Sequence, residues 1–151
     1  MNVMEEGGYM HFEQLFEGCD YYDREYSHWN RSYQKLMQRG SKYWLYLERL
    51  SEDRIRGEII GFLNRWLCRV DYESASSLKE ALGKLSPYYF ALRGESIDSI
   101  DFNASKVVKR RSLSNADIIK RIMWVFLSVR PKFGPVPASK LMHMALPDLL
   151  V

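Results

Sequence analysis

The sequence predicts an all-α fold, a single helical domain of about six or seven helices. Large residues between Tyr22 and Leu50 recur at alternating spacings of four and three, which places them on one side of a helix. The first proline is Pro87, so no proline ring interrupts long helices in the first half. Serines that can cap helices precede two apolar stretches, at Ser51 and Ser114.

The first helical stretch carries an aromatic stripe and a predicted break. The stripe consists of Tyr22, Tyr26, Trp29 and Tyr33. Helix packing and base stacking both use aromatic side chains at this spacing, and the acidic surroundings favour packing because they repel phosphate. Gly40 is predicted to end or kink the helix, since glycine readily adopts the left-handed conformation in which many helices terminate.

The next helix is predicted to run from Ser51 to about Val70. Ser51 can accept a hydrogen bond from a first-turn amide, and Glu52 and Asp53 suit the positive end of the helix dipole. The buried face is expected to contain Ile55, Ile59, Phe62, Leu63, Trp66 and Val70. A third helix over SASSLKEALGKL is predicted to be short and to end near Pro87, because proline disfavours helical geometry in the residue before it.

The segment from Glu95 to Ser112 has no clear hydrophobic period. Before it, PYYFALRG is predicted to form one or two helical turns closed by Gly94. SIDSIDF fits a short strand or a loop, and NASKVVKRRS fits a basic connector or a helix. Ser114 then caps a helix, NADIIKRIMWVFLSVR, that ends before Pro131 and whose wide apolar face predicts a central position.

Neither a metal site nor a catalytic site is predicted. Glu95, Asp98 and Asp101 have the spacing of one helix face and could hold a hard divalent cation, but an ordinary half-buried turn fits as well. Cys19 and Cys68 are too far apart for a metal knuckle or a redox CxxC pair. The sequence also lacks a nucleophile elbow, a Walker loop, an HExxH motif and a dinucleotide fingerprint. Enzyme classes that need those motifs are disfavoured, and no cofactor is predicted.

The composition is that of a globular protein, with 46% apolar and 27% charged residues. The longest apolar run, Ile122 to Leu127, is far shorter than the roughly 18 residues of a membrane-spanning helix. The start, MNVMEEGGYMHF, carries acidic residues where a secretory signal would have a basic region. We therefore expect a cytoplasmic protein that does not span a membrane.

Charge divides the chain into an acidic, aromatic-rich part, residues 1–102, and a basic third, residues 103–151. Residues 103–147 contain nine basic residues and one acidic residue, Asp117. The basic residues are Lys106, Lys109, Arg110, Arg111, Lys120, Arg121, Arg130, Lys132 and Lys140. This excess predicts an anionic partner, with nucleic acid as the leading candidate, although a solvated basic surface fits the same count.

Trp124 is a candidate for stacking on a base or another ligand. It follows Arg121 by three residues and Lys120 by four, so it lies on the polar, cationic side of its helix. Packing of the indole against a neighbouring helix is the favoured interpretation, because buried aromatic rings are common where helices meet.

The closing stretch, from Arg130 to Val151, has the layout of two helices joined by a glycine turn. Gly134 and Pro135 are predicted to form a tight turn. If the φ of Gly134 is positive, the turn requires glycine, and Gly134→Val should destabilise it by about 1–2 kcal/mol or more. Pro137 lies near the start of the second helix, where proline is well tolerated. With this layout, residues 114–151 resemble the helix-hairpin-helix element of the DNA glycosylase superfamily.

The resemblance implies a DNA partner, with one phosphate held by amides of the turn and of the helix N-terminus. The catalytic residues of the superfamily have no match here. Val136 occupies the position of the catalytic lysine, and Lys140 comes four residues later. Asp148 comes too early to serve as the catalytic aspartate. The resemblance therefore implies a binding element, and leaves DNA glycosylase or lyase activity without its usual residues.

The leading hypothesis is a nucleic-acid-binding protein without predicted catalysis. Its contacts are predicted to come from Arg110, Arg111, Lys120, Arg121, Lys132, Gly134 and Lys140, with Trp124 as the stacking candidate. The alternative is a helical protein-interaction or assembly protein whose apolar C-terminus and aromatic stripe bind a partner or a second copy. One continuous basic face around Gly134 would favour nucleic acid, and basic residues scattered over the surface would favour the alternative.

The apolar residues Leu149, Leu150 and Val151 raise a packing question of their own. Burying each side chain is worth roughly 1.5–3 kcal/mol before its entropy cost is subtracted. We therefore expect Leu149 and Leu150 to be buried, either in the chain's own core or in a subunit contact.

Overall fold

Residues 12–150, which the computed structural model describes, are mostly helical and contain one two-stranded sheet. Some side chains in residues 12–30, and that of Ser41, lie outside the description. The chain divides into two compact units, Met1–Gln38 and Arg39–Val151. In the first unit, helix α1 spans Phe12–Met37.

The predicted aromatic stripe falls on α1, largely on side chains that lie outside the described residues. The side chains of Tyr22, Tyr26 and Trp29 are not described, whereas Tyr33 is half-buried. The side chain of Cys19 also lies outside the description. The predicted break after this helix is confirmed, because Gly40 has a φ of 77° between the end of α1 and the start of α2.

The second unit is a succession of short and long helices interrupted by a β-hairpin. In chain order its elements are α2 (Ser41–Leu45), a 3₁₀ turn (Leu47–Arg49), α3 (Glu52–Arg54), a π-helical segment (Ile55–Ile60), α4 (Gly61–Arg65), a second 3₁₀ turn (Tyr72–Ser74), α5 (Ala75–Leu92), β1 (Ser105–Val108), β2 (Arg111–Ser114), α6 (Asn115–Leu127) and α7 (Pro135–Ala145). Both predicted serine caps are confirmed: Ser51 Oγ accepts from Arg54 N, and Ser114 Oγ accepts from Asp117 N.

The helical stretch that begins after Ser51 stops earlier than predicted. It ends at Arg65 rather than near Val70. The Asn64 side chain donates to Val70 O at 2.9 Å and accepts from Val70 N at 2.7 Å, which holds the chain in a reversal. Within that reversal Leu67 and Arg69 have positive φ values of 59° and 51°. A side-chain clamp therefore replaces the last helical turn, and Val70 is still buried.

Helix α5 continues through Pro87, so the predicted stop there is wrong. Leu85, Tyr89 and Leu92 are buried and keep one helical face across the proline. Burying side chains of this size is worth roughly 1.5–3 kcal/mol each, whereas a proline inside a helix costs about 3 kcal/mol. Packing on both sides of Pro87 therefore outweighs the missing hydrogen bond, and the helix reaches Leu92.

The segment predicted to be a basic connector or helix forms a β-hairpin, which corrects the all-α expectation at this place. β1 pairs antiparallel with β2, with Val108 opposite Arg111 and Ser105 opposite Ser114. Val107 and Val108 are β-branched and suit an extended strand. The unclear hydrophobic period in the sequence reflects a strand pair that is largely exposed to solvent.

The acidic residues before the hairpin do not form a helix face. Glu95 and Asp101 lie outside any helix or strand, and Asp98 lies in a turn. Glu95 is paired with Lys106, whose Nζ also donates to Ala91 O at 2.7 Å. Among the described residues, no three His, Cys, Asp or Glu side chains form a group that could hold a metal ion.

The predicted central position of α6 agrees with its packing between α5 and α7. Ile118, Ile122 and Phe126 are fully buried. Phe126 stacks on Phe133 in the following loop, with ring centroids 5.6 Å apart. The helix ends at Leu127, three residues before its predicted end, and the peptide bond before Pro131 is cis.

Two of the apolar residues after α7, Leu146 and Leu149, are buried. Leu149 is 2% exposed and Leu150 is half-buried, so the predicted burial is confirmed for Leu149. Ile97 N donates to Asp148 O at 2.9 Å, and His143 Nδ1 lies 2.7 Å from Leu150 O. Val151 lies outside the described residues. Leu149 is therefore covered within the single chain.

A cluster of polar side chains ties the start of the second unit to the π-helical segment. Glu58 accepts hydrogen bonds from Arg54 Nε at 2.7 Å, from Tyr43 OH at 2.7 Å and from Arg39 Nη1 at 2.6 Å. These bonds, that from Arg54 foremost, lower the pKa of Glu58 to about 2. Burial and the bond to Glu58 raise the pKa of Tyr43 to about 12.

Replacing Leu149 should destabilise the second unit. Leu149→Ala is expected to lower the free energy of unfolding by about 2–5 kcal/mol, because it leaves a cavity in a closed part of the core. The measurement is denaturant unfolding followed by circular dichroism. Leu67→Ala is the control, since Leu67 is 68% exposed. Equal losses in the two variants would contradict the burial argument.

The Glu58 cluster should make stability depend on pH. Because the folded-state pKa of Glu58 is depressed from 4.5 to about 2, its contribution is complete above pH 4.5 and is lost as the pH falls towards 2. Glu58→Gln should therefore lower the free energy of unfolding by about 1 kcal/mol at pH 7 and by much less at pH 2.5. Glu80→Gln is the matched control, because the Glu80 side chain is 71% exposed in its pair with Lys84. A Glu58→Gln loss that did not change with pH would refute the assignment.

Candidate functional site

Helix α6 has one buried face and one face open to solvent. Trp124 stands two residues from both Ile122 and Phe126, which places it opposite the core-facing side chains. Its side chain is 76% exposed. The favoured interpretation that Trp124 packs against a neighbouring helix is therefore wrong. The open face presents an indole ring to solvent.

A groove runs beside Trp124, with a volume of about 520 Å³. It is lined by Tyr88 of α5, Leu113 of β2, and Asp117, Lys120, Arg121, Trp124 and Val125 of α6. Lys120 and Arg121 lie one helical turn before Trp124 on the same face, and both are exposed. We call this feature the basic groove.

The turn that joins β1 to β2 carries two cations in an unusual backbone conformation. Lys109 and Arg110 have φ values of 49° and 64°. Two-residue hairpin turns with positive φ at both positions usually contain Asn-Gly, because left-handed geometry costs other residues roughly 1–2 kcal/mol each. Backbone strain of this kind recurs at functional sites, and here it occurs at two basic residues at the end of the hairpin.

The β1–β2 turn is held beside the basic groove by Lys109. Its Nζ lies 5.3 Å from the centroid of the Tyr88 ring and 3.4 Å from Lys84 O. Since Tyr88 also lines the groove, this contact links the turn to the groove. Arg111 lies on the same face of β2 as Leu113, because side chains alternate along a strand. We call the groove together with Lys109, Arg110 and Arg111 the basic face.

The charged side chains of the basic face are mostly positive. Among its described residues, five side chains are basic, and Asp117 is the acidic one. Lys120 Nζ lies 3.9 Å from an Asp117 carboxylate oxygen, and the Lys120 side chain is 72% exposed. An exposed pair at that distance is weak and leaves the ammonium group able to bind another anion.

The other predicted contact residues lie elsewhere. Lys132 and Gly134 line a second groove of about 310 Å³, together with Arg69 and none of the residues of the basic groove. Lys140 Nζ lies 4.2 Å from the centroid of the Trp66 ring. Of the predicted set, the structure therefore brings together Arg110, Arg111, Lys120, Arg121 and Trp124. The continuous basic face around Gly134 that would favour nucleic acid is not present among the described residues, and by that criterion the separate groups of basic residues favour the alternative. The nucleic-acid hypothesis is therefore confined to the group around Trp124.

The backbone at Gly134 differs from the predicted turn. Its φ is −79°, so the positive φ is absent, and a Cβ added there would meet no atom within 4 Å. Pro135 and Pro137 carry no backbone N–H, and Ala138 N donates to Gly134 O at 3.3 Å. The first turn of α7 therefore offers a phosphate few free amides. Because φ is negative and the space is open, Gly134→Val is not expected to destabilise the protein.

Sequence reasoning missed four groove-lining residues of the basic face as site residues, Tyr88, Leu113, Asp117 and Val125, and counted Lys109 only as part of the charge excess. The predicted helix stop at Pro87 separated Tyr88 from any expected site. The strand that carries Leu113 was not predicted. Tyr88 and Trp124 are 36 positions apart in the sequence, and no short-range pattern connects them.

Comparison with protein-family models, with curated proteins and with solved structures finds no match to this chain. In the part of the chain that the structure describes, no helix is both long and apolar enough to cross a membrane. Function is therefore inferred from the geometry and charge of the side chains.

Relieving the strained turn should stabilise the protein. The double variant Lys109→Asn, Arg110→Gly places the residues preferred at both positive-φ positions, and we expect a gain of about 1 kcal/mol in the free energy of unfolding. Lys109→Ala, Arg110→Ala is the control, because it removes the same charges and keeps the unfavourable geometry. Thermal unfolding measures both variants. A gain of the same size in the alanine control would show that charge, rather than backbone strain, limits stability at the turn.

Proposed function

We propose that this protein binds nucleic acid along the basic face. The observation that carries the proposal is an exposed tryptophan between cations: Trp124 on the open face of α6, with Lys120 and Arg121 one turn away and the β1–β2 turn across Tyr88. Nucleic acid combines a regular row of negative charges with flat aromatic bases. The basic face offers a complementary group for each.

The cations have two roles in this proposal. Arg110, Arg111, Lys120 and Arg121 are exposed and bind backbone phosphates, which supply most of the affinity and little sequence preference. Lys109 is already engaged by Tyr88 and Lys84 O, so it positions the turn. An arginine can meet a phosphate with two parallel hydrogen bonds, which favours defined contacts at the three arginines.

The proposal keeps the helix–loop–helix order of the helix-hairpin-helix resemblance and moves the phosphate contacts away from its loop. Helices α6 and α7 flank a loop that contains Lys132 and Gly134, as the resemblance implies. The prolines at the start of α7 remove amides that would hold a phosphate there. We therefore assign Lys132, Gly134 and Lys140 no part in the principal contact. The proposal includes no catalytic step.

The alternative function is binding of a protein partner or a second copy through the apolar C-terminus and the aromatic stripe. The scatter of basic residues favours it, most side chains of the stripe lie outside the described ones, and the C-terminus gives it little support. Leu149 is 2% exposed in the single chain and is not available to a partner. The apolar side chains that α6 exposes are Trp124 and Leu127, at 76% and 41%, and cations precede Trp124 on that face. A protein partner at this face would have to be acidic, and an acidic polypeptide can be compared directly with nucleic acid.

Binding should weaken steeply with salt, because each phosphate that the protein neutralises releases condensed counterions. The measurement is fluorescence anisotropy with labelled DNA from about 50 mM salt upwards, where exposed charges still interact strongly. Lys120→Gln, Arg121→Gln removes two phosphate-binding charges. The slope of log affinity against log salt should become shallower by about 0.7 for each of them on a single strand, or about 1.4 in all.

Lys42→Gln, Arg65→Gln is the matched control, since it removes two exposed charges that do not line the basic groove. It should leave the salt slope nearly unchanged. No affinity for either DNA or RNA at about 50 mM salt would end the proposal. An equal change of slope in both double variants would show that binding reflects nonspecific attraction to net charge and not a defined face.

A further inference from the structure

We infer that the basic face selects single-stranded over double-stranded nucleic acid, with the Trp124 indole stacking on an unpaired base. The inference rests on the proposed function and adds the class of nucleic acid. It depends on the exposure of Trp124, on the groups around it, and on which parts of a base each form of nucleic acid presents.

The Trp124 ring is open to a ligand. It is 76% exposed and makes no aromatic or cation contact within the described part of the chain. The other tryptophans with described side chains differ, since Trp44 is 1% exposed and Trp66 lies under Lys140. An indole left in water by the fold retains its full capacity to stack.

Stacking on Trp124 requires the flat face of a base. In a duplex, neighbouring base pairs cover those faces, and the grooves present only base edges. A single strand exposes the faces of its bases, which stack readily on aromatic side chains. Trp124 therefore gains a contact from a single strand that a duplex cannot supply without first being opened.

The surroundings of Trp124 suit a strand that turns one base inwards. Lys120 and Arg121 lie one turn before it on α6, and Arg110 and Arg111 follow Lys109, which contacts Tyr88, so both the helix and the hairpin supply cations for phosphates. Lys109 already occupies one side of the Tyr88 ring, which makes Trp124 the principal stacking ring. Asp117, which also lines the groove, disfavours a phosphate beside it and leaves that space to a base.

The test compares three labelled probes of equal charge by anisotropy at about 50 mM salt: a thymidine oligonucleotide, a uridine oligonucleotide and a DNA duplex. The expected result is tighter binding of one or both single strands than of the duplex. Trp124→Ala should weaken single-strand binding by roughly 5- to 150-fold and leave duplex binding nearly unchanged. Trp124→Phe should retain most of the affinity, because phenylalanine also stacks.

Two controls separate stacking from loss of structure. Leu127→Ala changes another exposed apolar side chain on α6 and should leave single-strand binding unchanged. The melting temperature of Trp124→Ala should match that of the unchanged protein, since the indole is largely exposed. Binding of a single strand should also quench the tryptophan fluorescence of the unchanged protein more than that of the Trp124→Phe variant.

The outcomes distinguish this inference from the function on which it rests. Binding of duplex as tightly as of single strands, with no effect of Trp124→Ala, would overturn the single-strand inference and leave nucleic-acid binding intact. No binding of any probe would overturn both. Displacement of the probe by polyglutamate of equal charge as efficiently as by unlabelled thymidine oligonucleotide would also overturn both, because charge alone would then explain the binding.

Discussion

The burial of one face of α6 determines what the opposite face presents to solvent. Ile118, Ile122 and Phe126 are fully buried, each worth roughly 1.5–3 kcal/mol, and α5 and α7 pack on either side. Any rotation of α6 that buried Trp124 would expose two or three of these core residues. Leaving one indole in water costs less free energy than exposing those core residues. The helix therefore packs with Trp124 and its neighbouring cations facing solvent.

The basic groove also depends on the continuation of α5 past Pro87. Tyr88 directly follows the proline, and it lines the groove because the helix carries on to Leu92. A helix that ended at Pro87 would release Tyr88, and with it the ring on which Lys109 rests. The proline is therefore tolerated at a point where the helix supports both the core, through Tyr89, and the groove.

Two segments of the second unit contain residues with positive φ, and different contacts stabilise them. Leu67 and Arg69 have positive φ values inside a reversal that Asn64 holds with two hydrogen bonds. The Lys109–Arg110 turn has no comparable clamp, and Lys109 rests on the Tyr88 ring and one carbonyl. Sequences that break a local preference without a strong structural compensation do so most often at functional sites. This difference favours a role in binding for the turn.

The sequence by itself determined the features that depend on neighbours along the chain: the serine caps, the break at Gly40, the core-facing side of α6 and the basic character of the C-terminal third. Tertiary structure decided what depends on distant residues. Lys109 meets Tyr88 only after α5 and the hairpin have packed together, and α5 crosses Pro87 only because the core lies on both sides of it. Local signals act within a helical turn, whereas the groove joins segments whose contact energies outweigh local preferences only in the folded chain.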